Sequence, residues 1–149
     1  MVKEVALVAV VLALASVLGV VWRARNGRFR AAPSTSVAAA GLVVLTPDEV
    51  TVPLGARATF LQVSSEVCSA CRSTHRVLSA VAAQEPGVVH VELDAAQHLD
   101  LVRRLDVLRT PTTFVLAHDG SVVGRMSGAT DRRQALAALE SCPDVAPAR

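Results

Sequence analysis

Ser64-Ser65-Glu66-Val67-Cys68-Ser69-Ala70-Cys71-Arg72 holds two of the three cysteines of the chain. The run before it, Ala58-Thr59-Phe60-Leu61-Gln62-Val63, reads as a strand, and the run from about Ala70 to Gln84 reads as a helix. Cys68 is therefore expected at a strand-to-helix turn, on the first turn of that helix. Unpaired backbone N–H groups and the positive end of the helix dipole favour an anion there, so a thiolate forms more readily than in a free cysteine. Two intervening residues allow a disulfide to close and open within one helical turn. The stretch reads as a redox dithiol.

Composition narrows the setting. The chain has 149 residues, enough for one domain and a short extension, and is 52% apolar with only four aromatic residues, Trp22, Phe29, Phe60 and Phe114. Its core must be aliphatic. The formal charge of +2 is unevenly spread: residues 31–149 carry 10 Arg against 12 Asp plus Glu, about −2, whereas Lys3, Arg23, Arg25, Arg28 and Arg30 flank the apolar N-terminus. No basic face for nucleic acid is implied. One Lys against 14 Arg, with abundant Ala and Val, suggests a GC-rich bacterial genome. Three cysteines with one close pair point to a working dithiol plus a spare thiol, Cys142, rather than a disulfide scaffold.

Residues 5–22 carry no charge. As a helix this run would cover about 27 Å, near the hydrocarbon thickness of a bilayer. A signal peptide carries its positive charges before the apolar run, whereas here four arginines follow it, and Ser36-Val37-Ala38, small enough for cleavage, lies well beyond it. Residues 5–22 are thus expected to be an uncleaved transmembrane anchor after a short tail, 1–4. The same arginines place the C-terminal side in the cytoplasm, with Trp22 at the interface. Residues 23–42 read as a basic juxtamembrane segment and flexible linker.

From there the expected order is strand (Leu42–Leu45), strand (Ala58–Ser64), helix, strand (Val88–Leu93), helix (Leu99–Leu105), strand (Thr112–Leu116), strand (Ser121–Met126) and a final helix capped by Asp131. Pro86-Gly87 ends the first helix, and Asp119-Gly120 marks a hairpin. Residues 142–149 form a C-terminal tail.

That order, the Cys68-x-x-Cys71 pair at a strand-to-helix junction, and Thr110-Pro111-Thr112 opening the hairpin together resemble thioredoxin over about residues 43–141. Asp94, closing the middle strand, and Gly128, after the hairpin, are matching smaller marks. The resemblance implies an α/β fold, a central mixed sheet flanked by helices, preceded here by the transmembrane helix. It implies a cis bond before Pro111, which sets this loop against the dithiol, and a backbone at Thr110 that pairs with an extended protein substrate. Val67 replaces the family's Trp and Ser69-Ala70 its Gly-Pro. Gln62 stands where the family buries a carboxylate, and His90 aligns roughly with its companion Lys. Gln62 cannot accept a proton, so the base that assists the second cysteine is missing or replaced.

The expected catalytic residues are Cys68 and Cys71, with Thr110, Pro111 and Val67 contacting substrate. Arg72 favours the thiolate and Glu66 opposes it. No cofactor and no metal are expected. A zinc site with His75 and Cys142 as further ligands is disfavoured by spacing within a single helix and the lack of a second close pair. His75 reads as a solvated helix residue, and His90, His98 and His118 read as strand-edge or surface residues. The leading function is a membrane-tethered oxidoreductase, a reductase or redox partner at the inner face, acting on protein disulfides or dithiols with a membrane-associated partner. The alternatives are an extracytoplasmic oxidoreductase for exported proteins or cytochrome maturation, and a non-catalytic binding module.

Overall fold

The computed structural model describes residues 2–25, 27–31, 43–50 and 52–142. Helix α1 (Val2–Arg25) contains a stretch, Lys3–Val21, with mean hydropathy 2.6 and no buried residue, long and apolar enough to cross a membrane. Strand β1 (Phe29–Ala31) follows almost at once. Then come α2 (Pro47–Val50), β2 (Ala58–Ser64), α3 (Ser69–Ala82), β3 (Val88–Asp94), α4 (Leu99–Arg104), β4 (Thr112–Ala117), β5 (Val122–Ser127) and α5 (Arg132–Leu139). The five strands form one mixed sheet in the order β1-β5-β4-β2-β3, with β2 and β3 parallel and the other pairs antiparallel.

Strand β2 is buried along its whole length because helices cover both faces of the sheet. Its side chains alternate between the faces. Ala58 and Phe60 join Leu78, Val81, Val115, Met126, Leu139 and Cys142 in one core. Leu61 and Val63 join Leu45, Val50, Phe114 and Leu116 in the other. Gln62 shares the parity of Phe60, so it lies on the face covered by α3. Asp131 caps α5 by accepting from the Gln134 N–H, while the Gln134 side chain accepts from the Asp131 N–H, which sets the angle at which this helix closes the first core.

Three expectations differ from the structure. Phe29–Ala31, read as part of the linker, is an edge strand registered on Met126, Arg125 and Gly124. Its docking depends on two glycines. Gly124 has no side chain, so the Phe29 ring lies directly over it, and Gly27 turns the chain at φ +70° where its N–H donates to the Ser127 carbonyl. At Val43–Leu45 no regular strand forms among the described residues. Val44 makes a single bridge to Ser121, and the chain leaves because Thr46 and Glu49 cap the turn of α2 reciprocally. Cys142, read as the start of a tail, is packed in the first core at 6% exposure. Its thiol pKa is raised by that burial, so it stays protonated. The remaining linker, residues 32–42, the tail 143–149 and the side chain of Trp22 lie outside the described residues.

Candidate active site

Strand β2 ends at Ser64, and four residues later Cys68 stands in extended conformation as the N-cap of α3. Serine, threonine, aspartate and asparagine are preferred at this position because a side-chain acceptor satisfies a free backbone N–H. Here the acceptor is sulfur: the Cys71 N–H donates to Cys68 Sγ at 3.0 Å. The two cysteines are joined as a disulfide, with Cα atoms 5.2 Å apart. They differ in access. Cys68 is half-buried, whereas Cys71, one turn into the helix, is only 2% exposed.

The rim around Cys68 is open. Val67 is 99% exposed, and Glu66 and Arg72 also face solvent. Across the rim lies the Thr110–Pro111 loop, whose peptide bond is cis. Thr110 Oγ1 is 3.1 Å from Ser65 Oγ, a contact that links this loop to the strand-to-helix turn. The Pro111 carbonyl accepts from the Gly128 N–H at 2.7 Å, and Thr112 Oγ1 donates to the Arg109 carbonyl at 2.8 Å. The expected residues Val67, Cys68 and Thr110 therefore lie along one rim, with Pro111 buried next to Thr110. Ser65 was not singled out in the sequence, although a hydroxyl three residues before Cys68 gave a usable signal.

Beneath Cys71 the site is polar and closed. Gln62 is fully buried. Its amide nitrogen has three acceptors around it: the Cys71 carbonyl at 3.0 Å, Ser64 Oγ at 2.7 Å and Glu92 Oε1 at 3.1 Å. These partners fix the amide orientation, because the Cys71 carbonyl and the Glu92 carboxylate can only accept. The Gln62 Oε1 then faces His90 Nε2 at 3.2 Å, and His90 Nδ1 lies 2.9 Å from Ser79 Oγ. The amide oxygen can only accept, so Nε2 carries the proton and Nδ1 accepts from the Ser79 hydroxyl. Burial first, and the neighbouring His75 second, push the His90 pKa down to about 4 against the pull of Glu92, so the ring is neutral at physiological pH.

Glu92 carries the network outward, with Oε2 at 2.6 Å from His75 Nδ1. The rings of His75 and His90 meet edge to face at 5.0 Å. Three elements are thus tied behind one cysteine: β2 through Gln62 and Ser64, β3 through His90 and Glu92, and α3 through Cys71, His75 and Ser79. His90 is half-buried and bonded on both ring nitrogens, unlike the strand-edge or surface role expected of it, whereas His75 is exposed on α3 as expected and adds the contact to Glu92. Side-chain identity did not show this, because the β2–β3 register that aligns Phe60 with His90 and Gln62 with Glu92 is a tertiary fact.

Among the described residues no group of three or more His, Cys, Asp or Glu side chains is placed to hold a metal ion. His98 stands at the N-cap of α4 without a side-chain capping bond, and its Nδ1 lies 3.0 Å from the Asp94 carbonyl. What the arrangement can do is thiol–disulfide exchange: one sulfur reachable at a helix N-terminus, and a second held behind it to compete for the first.

Comparison with known proteins gives the same answer. A family model described as a thioredoxin-like domain matches residues 48–142. Thioredoxin from Fasciola hepatica superposes with a TM-score of 0.52 at 22% identity, over 64% of this chain and 86% of that one. The long form of spinach chloroplast thioredoxin f superposes with a TM-score of 0.52 at 24% identity, over 58% and 72%. A thioredoxin from Nicotiana alata gives 0.52 at 22% identity, over 59% and 76%. No curated protein matches the chain. At these identities the solved structures speak for the fold, and the domain match speaks for kinship. With its Cys68–Cys71 disulfide at the head of α3, the chain belongs to the thioredoxin-like domain family and is a thiol–disulfide oxidoreductase.

Proposed function

We propose that the protein is a membrane-tethered oxidoreductase that reduces protein disulfides, or serves as their redox partner, with Cys68 as nucleophile and Cys71 as resolving thiol. The unequal access of the two sulfurs carries this reading. In the reductive direction the Cys68 thiolate attacks one sulfur of a substrate disulfide, and the other leaves as a thiolate that takes up a proton. Cys71 then loses its proton and attacks Cys68 Sγ. This releases the second substrate thiol and leaves the Cys68–Cys71 bond, with two electrons passed to the substrate. A separate dithiol donor must reduce that bond before the next turnover, and the exchange itself needs no cofactor. The Thr110 backbone would hold an extended substrate segment, with Pro111 and Val67 beside it.

The apolar helix Lys3–Val21 supports the tether. The arginines after it support a catalytic domain on the cytoplasmic face. Four chain steps separate Arg25 from Phe29, at most about 14 Å, so an anchor at α1 would hold the sheet edge close to the bilayer and within reach of a membrane-associated partner. A Cys71→Ser variant should accumulate mixed disulfides with substrate proteins that vanish in the Cys68→Ser,Cys71→Ser double variant. A Cys71→Ser variant that captures nothing and an unaltered protein that fails to reduce insulin would together leave only a binding role. Reporter fusions to the C-terminus read sidedness, and activity of an exported phosphatase reporter would reverse the orientation.

A further inference from the structure

Strands β1 and β5 pair so that Arg30 stands directly opposite Arg125. Like charges in such a pair oppose strand association. Arg28 and Arg109 join them around a cleft of about 340 Å³, which Leu108 and Asp106 also line. Among the described residues, four guanidinium groups thus face a single carboxylate, that of Asp106. Two of the heads are held in place by backbone carbonyls alone: Arg125 donates to Leu105 and Asp106 at 3.4 and 3.2 Å, and Arg109 to Ser127 at 3.3 Å. Among the described residues none of the four forms an ion pair with a carboxylate, whereas Arg57, Arg103 and Arg104 each do. A guanidinium has five N–H donors, so these contacts leave most of them free for a ligand.

The cleft adjoins the redox site. Arg109 immediately precedes Thr110, Leu108 next to it is 85% exposed, and Ser127 precedes the Gly128 N–H that binds the Pro111 carbonyl. We infer that this cleft is a specificity site for an acidic segment of the protein substrate, a few residues along the chain from the cysteine undergoing exchange. An extended strand laid along Thr110 would pass over Leu108, and its Asp or Glu side chains would take up guanidinium donors in charge-assisted, bidentate pairs. The concave shape and the shared Arg109–Pro111 loop favour a peptide over a planar layer of lipid headgroups. The inference rests on the oxidoreductase reading and adds the substrate class.

The test uses the full chain in phosphatidylcholine nanodiscs and two peptide disulfides that differ only in carrying Asp-Asp or Lys-Lys two to four residues from the cystine. The readout is the ratio of kcat/KM values for the two peptides within one preparation, so that general losses cancel. A preference of about tenfold for the acidic peptide at low salt, fading toward unity at about 0.5 M NaCl, is expected. Arg28→Glu,Arg30→Glu should reverse the preference, and Arg28→Gln,Arg30→Gln should abolish it. Equal rates for the two peptides, or a preference that survives the charge reversal, would overturn the proposal. So would arginine-dependent binding to phosphatidylglycerol vesicles without any peptide preference, which would assign the cleft to lipid. Hydroxyethyl disulfide reduction by the unaltered protein tests the underlying reading on its own. If that fails, anisotropy of the acidic peptide with alanine at both cystine positions still reads the cleft: arginine-dependent binding supports the site, and none overturns it.

Discussion

Cys68 and Cys71 are joined through sulfur and separated by two residues, yet their surroundings have little in common. Around Cys68 the surface is open, apolar at Val67 and free of tight packing. Behind Cys71 every polar side-chain atom of Gln62 is engaged, and the contacts run through two strands and a helix, meeting solvent at Glu92 and His75. Groups that must meet a changing partner are left exposed, and groups that must hold one sulfur in place are buried and satisfied. Substitutions on the open side should therefore alter activity with little change in stability. Those on the closed side should alter stability first.

The largest expected effect lies on the open side. Cys68→Ser should abolish insulin reduction, a loss of at least about a thousandfold, because a serine hydroxyl is not ionised at neutral pH and cannot form the mixed disulfide. Its thermal midpoint should stay within a few degrees of a Cys71→Ser control, which also lacks the disulfide. Equal residual turnover in the two variants would erase the asymmetry between the sulfurs.

Next comes the closed side. Gln62→Leu keeps the volume but strips partners from the Cys71 carbonyl, Glu92 and the His90 N–H, and should cost about 2–3 kcal/mol. For a domain of this size that is a fall of roughly 10–15 °C in Tm. A change below about 0.5 kcal/mol would show that the network is solvated rather than structural.

A third effect follows from His90. Its pKa is depressed in the folded protein, to about 4 from an ordinary value near 6.5, so between these values the unfolded chain binds more protons. Stability contributed by the neutral ring is present above about pH 6.5 and is lost as pH falls toward 4, on the order of 2 kcal/mol after allowance for partial exposure. His90→Asn should flatten this part of the pH profile, measured as the difference between the two proteins in urea unfolding at pH 7 and pH 4.5. The difference cancels the carboxylates that titrate in both, including Glu49 and Asp119, whose pKa values are lowered by hydrogen bonds from Thr46 and Ser121 respectively.

The smallest effect returns to the rim. Val67→Ser should move stability by less than about 0.5 kcal/mol, since the side chain is 99% exposed. It should still raise KM for a protein substrate about two- to fivefold, because a rim side chain of this kind contributes on contact with the partner. A loss of stability larger than the loss of binding would contradict the division between the two sides.

These regions were also unequally legible. The open side could be read from sequence because its signals are local: Cys-x-x-Cys after a strand-like run, Thr-Pro-Thr before another, Asp-Gly at the hairpin. The closed side depends on register. Gln62 was visible as a departure from the family pattern, but its partners Glu92 and His90 lie about thirty residues away, and only the parallel pairing of β2 with β3 brings them to it. The arginine cleft was hidden for a similar reason. Arg28 and Arg30 looked like juxtamembrane charge, and a three-residue strand with two exposed positions has too little periodicity to announce itself.

The sulfur that caps α3 has a consequence beyond geometry. A thiolate accepts the Cys71 N–H more strongly than a disulfide sulfur does, so the number of electrons on the pair and the firmness of the first helical turn are linked quantities. By reciprocity, whatever strengthens the Cys71 N–H contact to Cys68 Sγ favours the reduced form, and whatever breaks it favours the oxidised form. A protein that grips the head of α3 could thus decide which way the electrons run without touching either sulfur.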